Sequence, residues 1–294
     1  MYDIRESLTA HTVEEALSLL STHEGMIPAA GGTDILIKVR ERKLKAVSLV
    51  SILGIQELNT ISMGEDGSIC IGPVCCFTRI TEDPLIMENV PMLGEACRQI
   101  GSPQIRNVAT IGGNICNGAV SADSVTPLYA LDAILTLRSV KGERCIPIRE
   151  FHTGPGKTVR NPDELLTMIR IPKESFAKHG SCYIKFGQRK AMEIATLGCA
   201  VNVSLSEDKT KICSAAIAYG VAAPTPVRCT ETEALLTGMT IGPELFKTAR
   251  EHVTAELQPR DSWRASKELR VQLIKELVVR ALKSAVIRAG GEVD

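Results

Sequence analysis

Two pairs of adjacent glycines, each set in a short polar segment, constrain this chain more than anything else in it. The first is Ala30-Gly31-Gly32-Thr33-Asp34, which follows the apolar run Met26-Ile27-Pro28-Ala29. The second is Thr110-Ile111-Gly112-Gly113-Asn114, running on to Asn117, Ser121 and Asp123. Tandem glycines let the backbone take positive φ and aim successive N–H groups at one point. Neighbouring Thr and Asn side chains add donors, and a missing Cβ leaves the main chain open to a ligand. A single pair needs no more than a tight turn to explain it. Two pairs, each trailed by a carboxylate, predict turns that grip a pyrophosphate between them. Asp34 and Asp123 would then accept from ribityl, ribose or ring donors, although Asp34 also stands where a helix N-cap belongs.

The pattern around the first pair predicts β–α–β–turn–α–β. Thr12-Val13-Glu14-Glu15 opens a helix with a capping box, Ile35 to Arg42 forms a second helix, and Ala46 to Ile52 a strand. Further on, strands are expected at Ser68 to Gly72 and Leu165 to Ile171, a helix at Met92 to Ile100, and a hairpin of Ile134 to Leu137 with Arg144 to Ile148. Polar residues 173–179 read as a linker. Beyond them, Ala200 to Leu205 and Ile212 to Tyr219 predict an antiparallel pair, followed by helices near Gly242 to Leu257 and Ser266 to Ala289. In the last helix Leu269, Leu273, Leu277, Ala281 and Ala285 form an apolar stripe, and Gly290-Gly291 can end it.

Several chemistries find little support. The formal net charge of +0 and 3% aromatic content give no electrostatic drive toward nucleic acid and few rings for stacking bases. The opening residues lack the apolar core of a signal peptide, so a cytoplasmic protein is expected. Ten scattered cysteines and five histidines show no metal-ligand spacing, and buried reduced thiols are the expectation. Gly154-Pro155-Gly156-Lys157-Thr158 imitates the end of a P-loop, but Phe151 stands where a glycine is needed. A Rossmann fingerprint is missing, so a bound dinucleotide would not imply a doubly wound sheet. Lys185 is a lone cation in the apolar stretch Cys182 to Phe186, a place an edge-strand lysine also occupies.

Taken in order, the first glycine motif, Arg106-Asn107-Val108-Ala109-Thr110-Ile111-Gly112-Gly113-Asn114 and Ser121-Ala122-Asp123 resemble the paired flavin motifs of the molybdenum hydroxylase FAD subunits. Ala222 to Arg228 and Asp261 to Glu268 are similar to segments of that family's C-terminal domain. With Ile115 to Ala119 and Phe151 to Lys157, the chain resembles the separate FAD-binding subunits of bacterial xanthine dehydrogenases. The resemblance covers essentially the whole chain. It implies an α+β fold: a PCMH-type FAD-binding region of two subdomains over residues 1–175, split near 55, then a smaller antiparallel-sheet-plus-helices domain over 176–294. It implies FAD contacts at Ile27, Pro28, Ala29, Ala30, Gly31, Gly32, Thr33, Asp34, Ile100, Thr110, Gly113, Asn114, Asn117, Asp123, Leu166 and Lys185. Met192 departs from the family, where an acidic residue often stands near the flavin.

What the resemblance implies about activity is an electron relay. A molybdenum cofactor and iron–sulfur clusters would sit on partner chains, with FAD here passing a hydride to NAD. No catalytic acid or base and no metal site is expected in this chain. Purine is the expected substrate of the assembly, with nicotinate, aldehydes and carbon monoxide as alternatives. Two other readings stay open at this point: a self-sufficient flavin oxidoreductase, and a nucleotide-binding module without redox activity.

Overall fold

A computed structural model describes residues 2–293. The chain opens with β1 (Ile4–Thr9), α1 (Val13–Thr22), β2 (Met26–Ala29), α2 (Ile35–Arg40) and β3 (Val47–Ser51). These three strands form a parallel sheet in the order β1-β3-β2. Helix α1 starts as its sequence requires: Thr12 accepts from the Glu15 N–H, and Val13, Ala16, Leu17 and Leu20 are buried on one face.

The next segment runs β4 (Ile61–Met63), β5 (Ile69–Ile71), α3 (Phe77–Glu82), α4 (Pro84–Asn89), α5 (Pro91–Arg98), α6 (Pro103–Arg106), α7 (Ile111–Asn117) and α8 (Val125–Ala130). It continues through β6 (Ile134–Ser139), β7 (Gly142–Pro147), the small hairpin β8 (His152–Gly154) and β9 (Lys157–Thr158), and β10 (Leu165–Ile171). Five of these strands make an antiparallel sheet ordered β4-β5-β10-β6-β7. The expected β6–β7 hairpin is present, as is β10. The short helices α3, α4, α6 and α8 go beyond the sequence expectation, because each is too brief to show a helical period.

The remainder comprises β11 (His179–Phe186), β12 (Leu197–Leu205), β13 (Ile212–Gly220), β14 (Val227–Arg228), α9 (Thr230–Leu236), α10 (Pro243–His252) and α11 (Lys267–Arg288). The four strands form one antiparallel sheet in chain order. Residues Leu197 to Val203 of β12 are buried on both faces, where one-sided alternation was expected. Cys199, Val201 and Val203 face a core completed by α10 and α11. Ala200, with Ala216, Ala218 and Tyr183, instead joins the core of the preceding region. A sheet covered on both sides has no polar face.

The α11 stripe is likewise rotated from its expected position. Leu273, Leu277, Ala281 and Ala285 are buried, but Leu269 is 45% exposed. An i+4 repeat drifts around a helix of 3.6 residues per turn, so Arg270, Ile274, Val278 and Leu282 complete the buried face. Gly290 ends the helix at φ +90°. The ten cysteines are free; five are buried, and Cys145 and Cys213 are exposed. Among the described residues no helix is long and apolar enough to cross a membrane.

Candidate cofactor cleft

The segment that leaves the carboxyl end of β2 and the segment that opens α7 face each other across a cleft of about 350 Å³. What brings them together is the first glycine pair. A Cβ on Gly31 would stand 1.7 Å from the Val108 carbonyl oxygen, so only glycine lets the β2–α2 loop lie against the turn between α6 and the second pair. Gly112 allows a similar approach beneath it, where a Cβ would lie 2.3 Å from Pro73 Cβ. Gly32 is needed for a different reason, its φ of +72°.

The two pairs therefore do unlike things. After β2 the backbone forms an open cradle: the N–H groups of Gly31, Gly32, Thr33 and Asp34 have no acceptor among the described residues. The second pair lies inside helix α7, not in a positive-φ turn. Thr110 caps that helix by accepting from the Gly113 N–H at 3.2 Å. The Ile111, Gly112 and Asn114 N–H groups donate to the carbonyls of Cys75, Pro73 and Thr110. The expectation that both pairs present free N–H groups is corrected here: the first does, and the second spends its donors on packing α7. Asp34 does hold the N-cap position of α2, where the sequence puts it, but its side chain makes no capping bond.

Of the sequence-predicted residues, Ile27, Pro28, Ala29, Ala30, Gly31, Gly32, Thr33, Asp34, Ile100, Thr110, Gly113, Asn114, Asn117 and Leu166 line this cleft. Asp123 and Lys185 do not. They pair with each other outside the lining, Lys185 Nζ to Asp123 Oδ2 at 2.7 Å, with both side chains under a tenth exposed. Tyr183 OH donates to Asp123 Oδ1 at 2.7 Å, and Lys185 Nζ also donates to the Gln99 carbonyl, next to cleft-lining Ile100. Burial pushes the Asp123 carboxyl above its ordinary value, against the opposing pull of Lys185. Ser124, one residue on, donates to Asn114 Oδ1 at 2.7 Å, so this pair is tied to the cleft through one neighbour.

Sequence reasoning missed Lys38 and Arg160, both in the lining. Lys38 Nζ donates to Asn117 Oδ1 at 2.6 Å, joining α2 to α7. Among the described residues Arg160 bonds the carbonyls of Asn161 and Glu164. A lysine one turn into the helix after a glycine cradle was the available signal for the first; Arg160 left none. The apolar floor comes from Leu165 and Leu166 on β10 with Phe77 and Ile100.

The P-loop look-alike proves to be a prop. Gly156 N–H donates to the Gly118 carbonyl, fixing the β8–β9 hairpin under the end of α7. His152 bonds the Ile115 carbonyl through Nε2 and Tyr129 OH through Nδ1, each at 3.0 Å. Because a carbonyl only accepts, Nε2 carries the proton and Nδ1 receives the phenol's. Burial holds the His152 pKa below its ordinary value.

This lining suits a dinucleotide: unpaired backbone N–H groups for phosphate oxygens, two cations, and an apolar floor for a ring. Comparisons with known proteins agree. A profile of the FAD binding domain in molybdopterin dehydrogenase matches residues 3–174, and one of the CO dehydrogenase flavoprotein C-terminal domain matches 182–285. The xanthine dehydrogenase FAD-binding subunit of Escherichia coli O157:H7 is 40% identical over 294 residues, covering 100% of both chains. The nicotinate dehydrogenase FAD-subunit of Eubacterium barkeri is 34% identical over 79% of each chain. Among solved structures, a chain of carbon monoxide dehydrogenase from Hydrogenophaga pseudoflava superposes with a TM-score of 0.92 at 28% identity, covering 98% of this chain and 99% of that one.

Proposed function

The chain belongs to the FAD-binding subunits of the molybdenum hydroxylases, and from that premise we propose that it serves a xanthine dehydrogenase, relaying electrons from iron–sulfur clusters on a partner chain to NAD. The observation that carries the substrate assignment is the end-to-end 40% identity to a xanthine dehydrogenase FAD-binding subunit. A molybdenum-cofactor chain and an iron–sulfur chain are the partners in this reading, since the relatives are named as FAD subunits of larger dehydrogenases.

Bound FAD would supply the redox chemistry, linking one-electron carriers on a partner chain to hydride transfer to NAD. The chain's own residues hold and shield. The N–H groups of Gly31 to Asp34 would receive its pyrophosphate, and Asn114 and Asn117 would offer amide groups from the opposite wall. Leu165, Leu166, Phe77 and Ile100 keep water from the floor. No lining side chain has to move a proton for hydride transfer. The same reading divides the chain at 175/176, with the N-terminal region split near 55.

Purification of the intact complex and assay of NAD reduction with xanthine tests this. The expected result is a yellow complex containing an iron–sulfur chain and a molybdenum chain that reduces NAD with xanthine. A stable lone protein with no copurifying cluster chain would sink the assembly, and activity on nicotinate but not xanthine would replace the substrate alone. Bleaching of the isolated chain's flavin by a simple organic donor would favour a self-sufficient oxidoreductase.

A further inference from the structure

Lys38 and Arg160 stand out because each brings positive charge to the cleft without a carboxylate to meet it. Neither belongs to an ion pair among the described residues. The nearby carboxylate of Glu164 is already taken by Arg144 in a two-pronged contact at 2.7 and 2.9 Å. Asp34, the one acidic side chain in the lining, is exposed and contacts neither cation. A half-buried ammonium held only by an amide oxygen is poorly compensated. Lys38 sits one helical turn beyond Asp34, on the helix that rises from the four unpaired N–H groups.

We infer that Lys38 and Arg160 are the counter-charges of the cofactor's pyrophosphate, with Asn117 holding the Lys38 ammonium over the cleft. This rests on the FAD reading above. Two cations match the two negative charges of a pyrophosphate diester, and neutral N–H groups alone would leave those charges unbalanced in a half-buried site. Charge-assisted bonds to phosphate are stronger than neutral ones and weaken with salt. The assignment thus separates phosphate recognition, by α2 and the loop before β10, from ring recognition by the apolar floor.

Binding of FAD and of riboflavin, which lacks phosphate, to the apo chain at low and high salt tests this. Lys38→Met should weaken FAD about tenfold or more at low salt, flatten the salt dependence, and leave riboflavin unchanged. Lys38→Arg, which keeps the charge, should retain most of the FAD affinity. Equal FAD affinity in Lys38→Met and wild type overturns the assignment. So does parallel loss of FAD and riboflavin, or an equal loss in Lys38→Arg, since either marks a packing role. A wild-type chain that takes up no FAD overturns the underlying reading and this assignment with it.

Discussion

Lys185 Nζ lies 2.7 Å from Asp123 Oδ2, joining the edge strand β11 to the loop between α7 and α8. The two residues are 62 positions apart, and Tyr183 and the Gln99 carbonyl complete the cluster. It fastens the C-terminal sheet to the wall of the cleft. A buried ion pair of this kind adds little over an apolar replacement, but breaking it from one side is costly, because the surviving charge stays buried.

Asp123→Asn should therefore destabilise the chain by roughly 3–5 kcal/mol, measured by urea unfolding. The double variant Asp123→Asn/Lys185→Met should be more stable than Asp123→Asn alone. A loss under about 1 kcal/mol in the single variant would show that solvent reaches the pair.

Glycine substitutions should sort by what the new Cβ meets. Gly31→Ala drives it onto the Val108 carbonyl and should cost both stability and FAD uptake, because backbone cannot step aside. Gly113→Ala meets only Thr110 Oγ1, at 2.9 Å, and should cost about 1 kcal/mol through the weakened cap. Gly54→Ala has no neighbour within 4 Å and serves as the control. Thermal unfolding with flavin absorbance checks all three, and equal behaviour of Gly31→Ala and Gly54→Ala would refute the packing role.

The pH dependence of stability should carry a signature of His152. Its folded pKa is depressed by burial, so between that value and the unfolded value of about 6.5 the unfolded chain binds more protons. Stability then rises with pH, and is lost as pH falls below about 6.5. His152→Gln should be less stable at neutral pH yet show a flatter profile on acidification. His11, His23, His179 and His252, all at least partly exposed, are common to both proteins and cancel in the comparison. Identical slopes would place the acid sensitivity elsewhere.

Much of the architecture is legible where local pattern and tertiary demand coincide. Helix α1 announces itself by its cap and apolar face, β10 by a run closed at Pro172, and β6–β7 by the turn at Lys141-Gly142. Three short helices, α4, α5 and α6, begin at Pro84, Pro91 and Pro103, a residue favoured at the first helical position. Of these only α5 is expected from the sequence, and it runs from Pro91 to Arg98 where the pattern suggests Met92 to Ile100. For α4 and α6 the start signal is there, but four to six residues carry too little period to confirm it.

At the cleft, the sequence by itself determined that two glycine motifs would be special, since a residue without a Cβ is recognisable wherever it stands. It did not determine what each glycine is for. That depends on which atom lies in the Cβ direction, and Val108 and Pro73 are placed there by the fold, whereas Thr110 stands by Gly113 through its own helix cap. In the same way the charges of Asp123, Lys185, Lys38 and Arg160 are written in the chain, while their partners are not. Lys38 meets Asn117 across 79 positions, and Asp123 meets Lys185 across 62. Local chemistry is fixed by residue type; distance, burial and pairing arise only when separate segments pack together.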